Sequence, residues 1–381
     1  MPNPSPLYYT TGLISRRHLL ASPLALAACK KEKANGFDGY AFVANQEGQA
    51  VAAVDLTAFV VAKHIRIDGQ PKSVLAHPTR DAIYALGTGN GAIYEIDPAQ
   101  LAFRRKVTVS SDLLDLQLTD TGELWALSRA PRRLLLLDPT NLRPIRQVPL
   151  PAEPVSLALA QREPWALVLY EDHPPTLIQR GEGRHVAKFE LPHRPTLATF
   201  QGNGKAIIFG AREAQALSIY ELPSRQLITH LPLALKPERF CLKADGGQLF
   251  ITGQGLDAVV VVYPYRGEVA ETVLAGRAPG AMTVASTPDV DFLFVASPSR
   301  NDVSILDIVT HKTVAVVSVG QDPSFLTVTP DNQYVLVLNR TSGDMAVLRL
   351  KSIVPNRNKT APLFTMIPVG SRPVHAVVRS V

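Results

Sequence analysis

The sequence predicts an all-β fold, a β-propeller of four-stranded antiparallel blades, and three observations predict it. A strand-like apolar run recurs near Tyr40, Ile83, Leu124, Trp165, Ile207, Leu249, Phe292 and Tyr334, at spacings of 41 to 43 residues. A second strand follows each run. It ends at a fixed register position held by Asp55, Asp97, Asp138, Arg180, Glu221, Tyr263, Asp307 and Leu350. Turn formers divide each unit into four short apolar segments, and about 40–45 residues with four strands is the size of a propeller blade.

The chain begins with a different kind of element. Arg16-Arg17 stands before an apolar stretch that runs from Leu19 to Ala28 and ends in Leu26-Ala27-Ala28-Cys29. A charged segment, a short apolar run and a small-residue site read as a secretory signal. The run is too short for a membrane span, which needs about 20 apolar residues. Ser15-Arg16-Arg17-His18-Leu19-Leu20 resembles a twin-arginine export signal. Leu26-Ala27-Ala28-Cys29 resembles a bacterial lipobox, whose cysteine is acylated and becomes the mature N-terminus. The resemblance implies signal residues 1–28, a lipidated tether at 29–38 and one domain at 39–381. It also implies an exported protein anchored to a bacterial membrane, and Lys30 after the cysteine favours the outer membrane in a Gram-negative cell.

Composition narrows the function classes. Charged residues are 19% and the formal charge is +6, or +4 once Arg16 and Arg17 leave with the signal, since 1–28 holds no other charged side chain. No basic cluster suggests nucleic acid. If Cys29 is lipidated, Cys241 is left without a disulfide partner. Its setting in Phe240-Cys241-Leu242 reads as a small buried hydrophobe.

In the clearest unit the four segments are 292–297, 303–307, 313–319 and 324–329, separated by turns rich in Asn, Asp, Gly and Pro. Phe294-Val295-Ala296-Ser297, Asn301-Asp302-Val303-Ser304-Ile305-Leu306-Asp307, Val319-Gly320-Gln321-Asp322-Pro323 and Thr329-Pro330-Asp331-Asn332 resemble the YVTN-type propeller repeats of exported bacterial proteins. Residues 165–235 match that pattern poorly. Eight units are counted between 40 and 379; relatives with this repeat are most often seven-bladed, so a seven-blade ring with an added hairpin, departing within 351–363, is the alternative. The last strand, around Val374-His375-Ala376-Val377, has no blade after it and is expected to pair near Tyr40 and close the ring. Val374, Ala376 and Val378 are expected on one face of that strand.

Prolines mark most handovers from a fourth strand to the next inner strand, namely Pro71, Pro154, Pro195, Pro237, Pro279, Pro323 and Pro373, while Ser111-Asp112-Leu113 lacks one. Proline lacks an N–H and suits a strand start. Charged residues flank these prolines, and Arg194, Lys236, Arg277 and Arg372, with Asp322 and His375, are the candidate ligand-binding residues at the channel mouth. A ring of cations would favour an anion; rim residues neutralised by Asp112, Glu153, Glu238 and Asp322 are the alternative.

No catalytic constellation is read from the sequence. The nine histidines show no zinc-ligand spacing, Cys-x-x-Cys-His is absent, and Gly87-Thr88-Gly89-Asn90-Gly91 joins two strands as a hairpin. His77 is read as a turn variant, and Asp55, Asp97, Asp138 and Asp307 as turn caps. No metal or cofactor is expected. The leading expectation is a monomeric, lipid-anchored binding or scaffold propeller that holds a protein partner or a small ligand, an anionic one among the candidates. A propeller enzyme, lactonase-like or cofactor-holding, is the alternative.

Overall fold

The computed structural model describes residues 36–353 and 361–380. Arg16, Arg17 and Cys29 lie outside them. Among the described residues thirty-two strands form eight four-stranded antiparallel sheets, with one short 3-10 turn, Leu350–Ser352. The ring therefore has eight blades, and the seven-blade alternative is ruled out.

Seven blades are built from consecutive strands, running outward from Pro71–Ala76, Asp112–Leu118, Pro154–Leu159, Leu197–Phe200, Lys236–Leu242, Met282–Ser286 and Pro323–Val328. The remaining blade is shared by both ends of the chain. Its three outer strands are Gly39–Asn45, Ala50–Asp55 and Val60–Arg66, and its innermost is Pro373–Ser380. Tyr40 pairs with Arg379, Phe42 with Val377 and Ala44 with His375. This is the predicted closure. The repeat read from sequence is offset from the blade by one strand: 324–329 lies in the innermost strand of the next blade, not the outermost of its own.

Burial explains the sequence pattern strand by strand. The second and third strands of each blade are covered on both faces, so they read as unbroken apolar runs such as Ala258–Tyr263, Ala-Val-Val-Val-Val-Tyr. The outermost strands face solvent and carry charge, as in Ala102–Thr108. Eight apolar clusters fill the eight junctions between neighbouring blades. The one at the closing junction joins Ala41, Val43 and Ala376 to Leu336, Met345 and Ile367. Phe37 is buried in that same cluster.

Turn chemistry follows the expected roles. The Asp55 carboxylate accepts the N–H groups of Thr57 and Ala58, and Asp97 and Asp307 cap equivalent turns. His77 is buried, and its Nδ1 accepts N–H bonds from Thr79 and Arg80. Arg180 replaces the capping Asp in the fourth blade. It is 7% exposed and donates to Glu123 at 2.6 Å and to the carbonyls of Ala160 and Glu163.

Six innermost strands share a bulge near their start, which skips Lys72, Leu114, Val155, Glu238, Ser324 and Val374. In five of them a proline stands just before the skipped residue, but the strand from Asp112 bulges with none, so the bulge belongs to the inner strand and not to proline alone. The bulge corrects one expectation. Val374 does not share a face with Ala376 and Val378. It packs with Val377 toward the second blade, while Ala376 and Val378 pack toward the eighth.

Candidate ligand pocket at the ring seam

Antiparallel strands reverse direction at each turn. The handover loops and the turns between second and third strands therefore meet on one face. Backbone bonds join them: the Gln46 N–H donates to the Arg372 carbonyl, the Arg340 N–H to the Asp322 carbonyl and the Thr88 N–H to the Gln70 carbonyl. Pro71, Pro154 and Pro323 begin their inner strands as expected. Pro195 and Pro279 stand ahead of theirs.

The candidate residues on this face do not form a ring of free cations. Arg372 lies 2.9 Å from Glu47, and Lys236 lies 2.8 Å from Glu213. Arg194 faces Glu171 and Asp172 at 3.6 and 3.8 Å. Asp322 takes a 2.7 Å bond from Arg340. Arg277 is exposed, with no carboxylate partner among the described residues. The acids that neutralise Arg194, Lys236 and Arg372 come from turns between second and third strands. Like charges brought together on a rim need such partners.

Asp322 and Arg372 share one pocket. It has a volume of about 650 Å³, sits where the eighth blade meets the first, and is lined also by Glu47, Arg340, Thr341 and Ser371. Two carboxylates and two guanidiniums balance in charge. The lining holds hydroxyls and glycines but no aromatic ring. Asp322 and Arg372 both adopt left-handed backbone, with φ of 59° and 55°. That conformation is costly for side-chain-bearing residues and is held here by the backbone bonds above. Gly370 is needed at the pocket wall: its φ is 126°, and a Cβ there would lie 2.7 Å from the Asn45 amide nitrogen.

His375 lies elsewhere. The bulge carries it into the wall of the central channel, in register with Ser73, Asp115, Ser156, Arg239 and Phe325. Its Nδ1 accepts the Val74 N–H at 3.5 Å, and burial pushes its pKa down to about 4. Asp115 is half-buried in the same wall, and burial raises its pKa against bonds from Gln117 and the Leu116 N–H. Cys241 is also on an inner strand, and burial pushes its thiol up to about 12, which leaves it a poor nucleophile. Among the described residues no three His, Cys, Asp or Glu side chains converge as a metal site.

Sequence reasoning missed Glu47, Arg340, Thr341 and Ser371. The signal was the repeat itself, since every turn after a second strand falls on the proline-marked face.

No protein-family model matches the chain. Over 150 residues it is 26% identical to the seven-bladed beta-propeller protein Rv1057 of Mycobacterium tuberculosis, a stretch covering 38% of each protein. Among solved structures it is similar to dihydro-heme d1 dehydrogenase NirN in complex with DHE, with a TM-score of 0.72, 16% identity, and 89% of this chain and 75% of that one covered. It is also similar to apo AztD from Citrobacter koseri, with a TM-score of 0.67, 12% identity, and 89% and 97% covered. Likeness at these identities is likeness of fold, and the fold is an eight-bladed β-propeller with a polar pocket at its seam.

Proposed function

We propose that this protein is an exported, lipid-anchored binding propeller that holds a protein partner or a small polar ligand on its proline-marked face. The observation that carries the reading is the seam pocket. It gathers Asp322 and Arg372 with Glu47 and Arg340 on a rigid ring, and loops on a rigid scaffold are where recognition residues collect. The charge balance of the lining moves the preferred ligand away from a simple anion and toward a molecule with both donor and acceptor groups. Anchoring rests on Arg16, Arg17 and Cys29 in the sequence. Lipid on a processed cysteine would hold the ring at a membrane surface, since two or more acyl chains anchor firmly.

A photo-crosslinking residue placed at Ser371, with a second at Thr310 on the opposite face, tests the assignment in cells. Adducts from position 371 that disappear in the Arg340→Ala, Arg372→Ala double variant support it. Adducts from position 310 alone overturn it. Exposed charges of this kind shift stability by only about 0.5 kcal/mol, so the double variant should stay folded.

A cofactor-holding redox propeller is the second reading. The likeness to a dihydro-heme d1 dehydrogenase favours it, as does a histidine in the channel wall, His375. An absorption spectrum of the purified protein separates the two, because a bound chromophore supports only the second.

A further inference from the structure

We propose that His193 and His230 form a binding site for a divalent first-row transition-metal ion of the copper or zinc type. The two residues are 37 apart in sequence, so no local spacing reveals them. The fold brings them together. His193 lies on the connection between Arg184–Lys188 and Leu197–Phe200. His230 lies on Leu227–Pro232, the outermost strand of the fifth blade. Their ring centroids are 5.9 Å apart, with planes inclined by 35°.

That spacing suits a shared ion. A ligating imidazole nitrogen sits about 2.0–2.1 Å from zinc, with its ring centre roughly 1.1 Å beyond, so two imidazoles on one tetrahedral ion have centroids about 5 Å apart. Both side chains are exposed, and a movement of under about 1 Å closes the difference.

The second observation is the partner behind His230. Ser218 is buried, pairs directly across the ladder from His230, and its Oγ lies 2.9 Å from His230 Nδ1. When Nδ1–H donates to that hydroxyl, Nε2 keeps its lone pair for an ion. This is how residues behind a metal site fix the tautomer and ring orientation of a ligating histidine. His193 makes no hydrogen bond among the described residues, which leaves either ring nitrogen able to ligate. The adjacent cation, Arg194, is faced by Glu171 and Asp172 and does not stand unopposed beside the ion.

Two protein ligands leave coordination positions open, to be filled by water or by a group from another molecule. Imidazole donors suit copper, nickel and zinc, and copper(II) should bind most tightly.

Copper(II) titration of the full-length protein in detergent, followed by electron paramagnetic resonance, tests the site. One equivalent bound with two-nitrogen coupling is expected. His193→Ala and His230→Ala should each remove one nitrogen and weaken binding at least tenfold, and Ser218→Ala should weaken it about tenfold. His185→Ala is the control and should bind as wild type does. Melting curves establish that each variant is folded. No bound ion in the wild type, or an unchanged nitrogen count in both His193→Ala and His230→Ala, would overturn the proposal.

Discussion

The imidazole of His375 lies against the ring of Phe325, with centroids 4.4 Å apart and planes inclined by 39°. The contact joins the innermost strands of the first and eighth blades across the seam. Phe325 covers one side of the imidazole, while the Val74 N–H donates to Nδ1 from the second blade. A neutral histidine suits this setting, since a protonated Nδ1 could no longer accept that bond.

A pH dependence follows. His375 has a folded-state pKa of about 4, below an unfolded value of about 6.5, so the unfolded chain binds the proton first. Its contribution is fully present above about pH 6.5 and is lost as pH falls toward 4. The loss is at most about 3 kcal/mol and is smaller where channel water screens the charge. Asp115 is shifted upward and has the opposite sign, but it is common to wild type and variant. Urea unfolding of His375→Leu should show a flatter pH dependence between 4 and 6.5. Parallel curves for the two proteins would refute the assignment.

Arg180 tests the fourth blade. Its guanidinium is buried, and Glu123 is its carboxylate partner. Burial lowers the Arg180 pKa, and the Glu123 charge works against that shift. Glu123→Gln should cost about 1–3 kcal/mol, below the figure for a fully buried pair because Glu123 is 41% exposed. The Trp125 indole N–H also bonds to Glu123, so the variant should change tryptophan fluorescence. Denaturant midpoints and emission spectra measure the two effects.

Ring closure makes a larger prediction. Deleting 372–381 removes the innermost strand of the first blade and strips one ladder from Gly39–Asn45. Ala376 leaves the closing cluster with it. The loss should reach several kcal/mol, a large share of the roughly 5–15 kcal/mol margin of a folded domain. A truncated protein that melts with the wild type would show that the ring holds without this strand.

Export and anchoring are tested at the other end. Cys29→Ser should release the protein to the soluble extracytoplasmic fraction, and replacing both Arg16 and Arg17 with Lys should block a twin-arginine route. Cell fractionation with mass analysis of the N-terminal peptide reads both outcomes. Wild-type protein found in the cytoplasm without lipid would refute them.

The blades were legible because each depends on local facts. Buried middle strands demand unbroken apolar runs, and tight turns demand Asp, Asn and Gly, as at Asp55 and Asp307. The period then gave a count of eight blades, and strand pairing decided it against seven. The site was legible only in part. Prolines located the loops that line the seam pocket, and Asp322 and Arg372 do meet in it. Their partners Glu47 and Arg340 went unseen because pairing across the seam depends on side-chain reach, which periodicity does not encode. His375 was misplaced from the mouth to the channel for a similar reason. A bulge shifts the register by one residue, and Pro373 alone does not mark it, since the strand from Asp112 bulges without a proline.

The shared first blade also makes closure of the ring wait on two distant stretches of chain. Gly39–Asn45 is synthesised long before its inner neighbour, Pro373–Ser380. Translation that stops short leaves Gly-Tyr-Ala-Phe-Val-Ala-Asn with a bare sheet edge, the kind of surface that chaperones and proteases recognise. A transport route that accepts only folded cargo would then sort closed rings from open ones by whether Pro373–Ser380 has found its place.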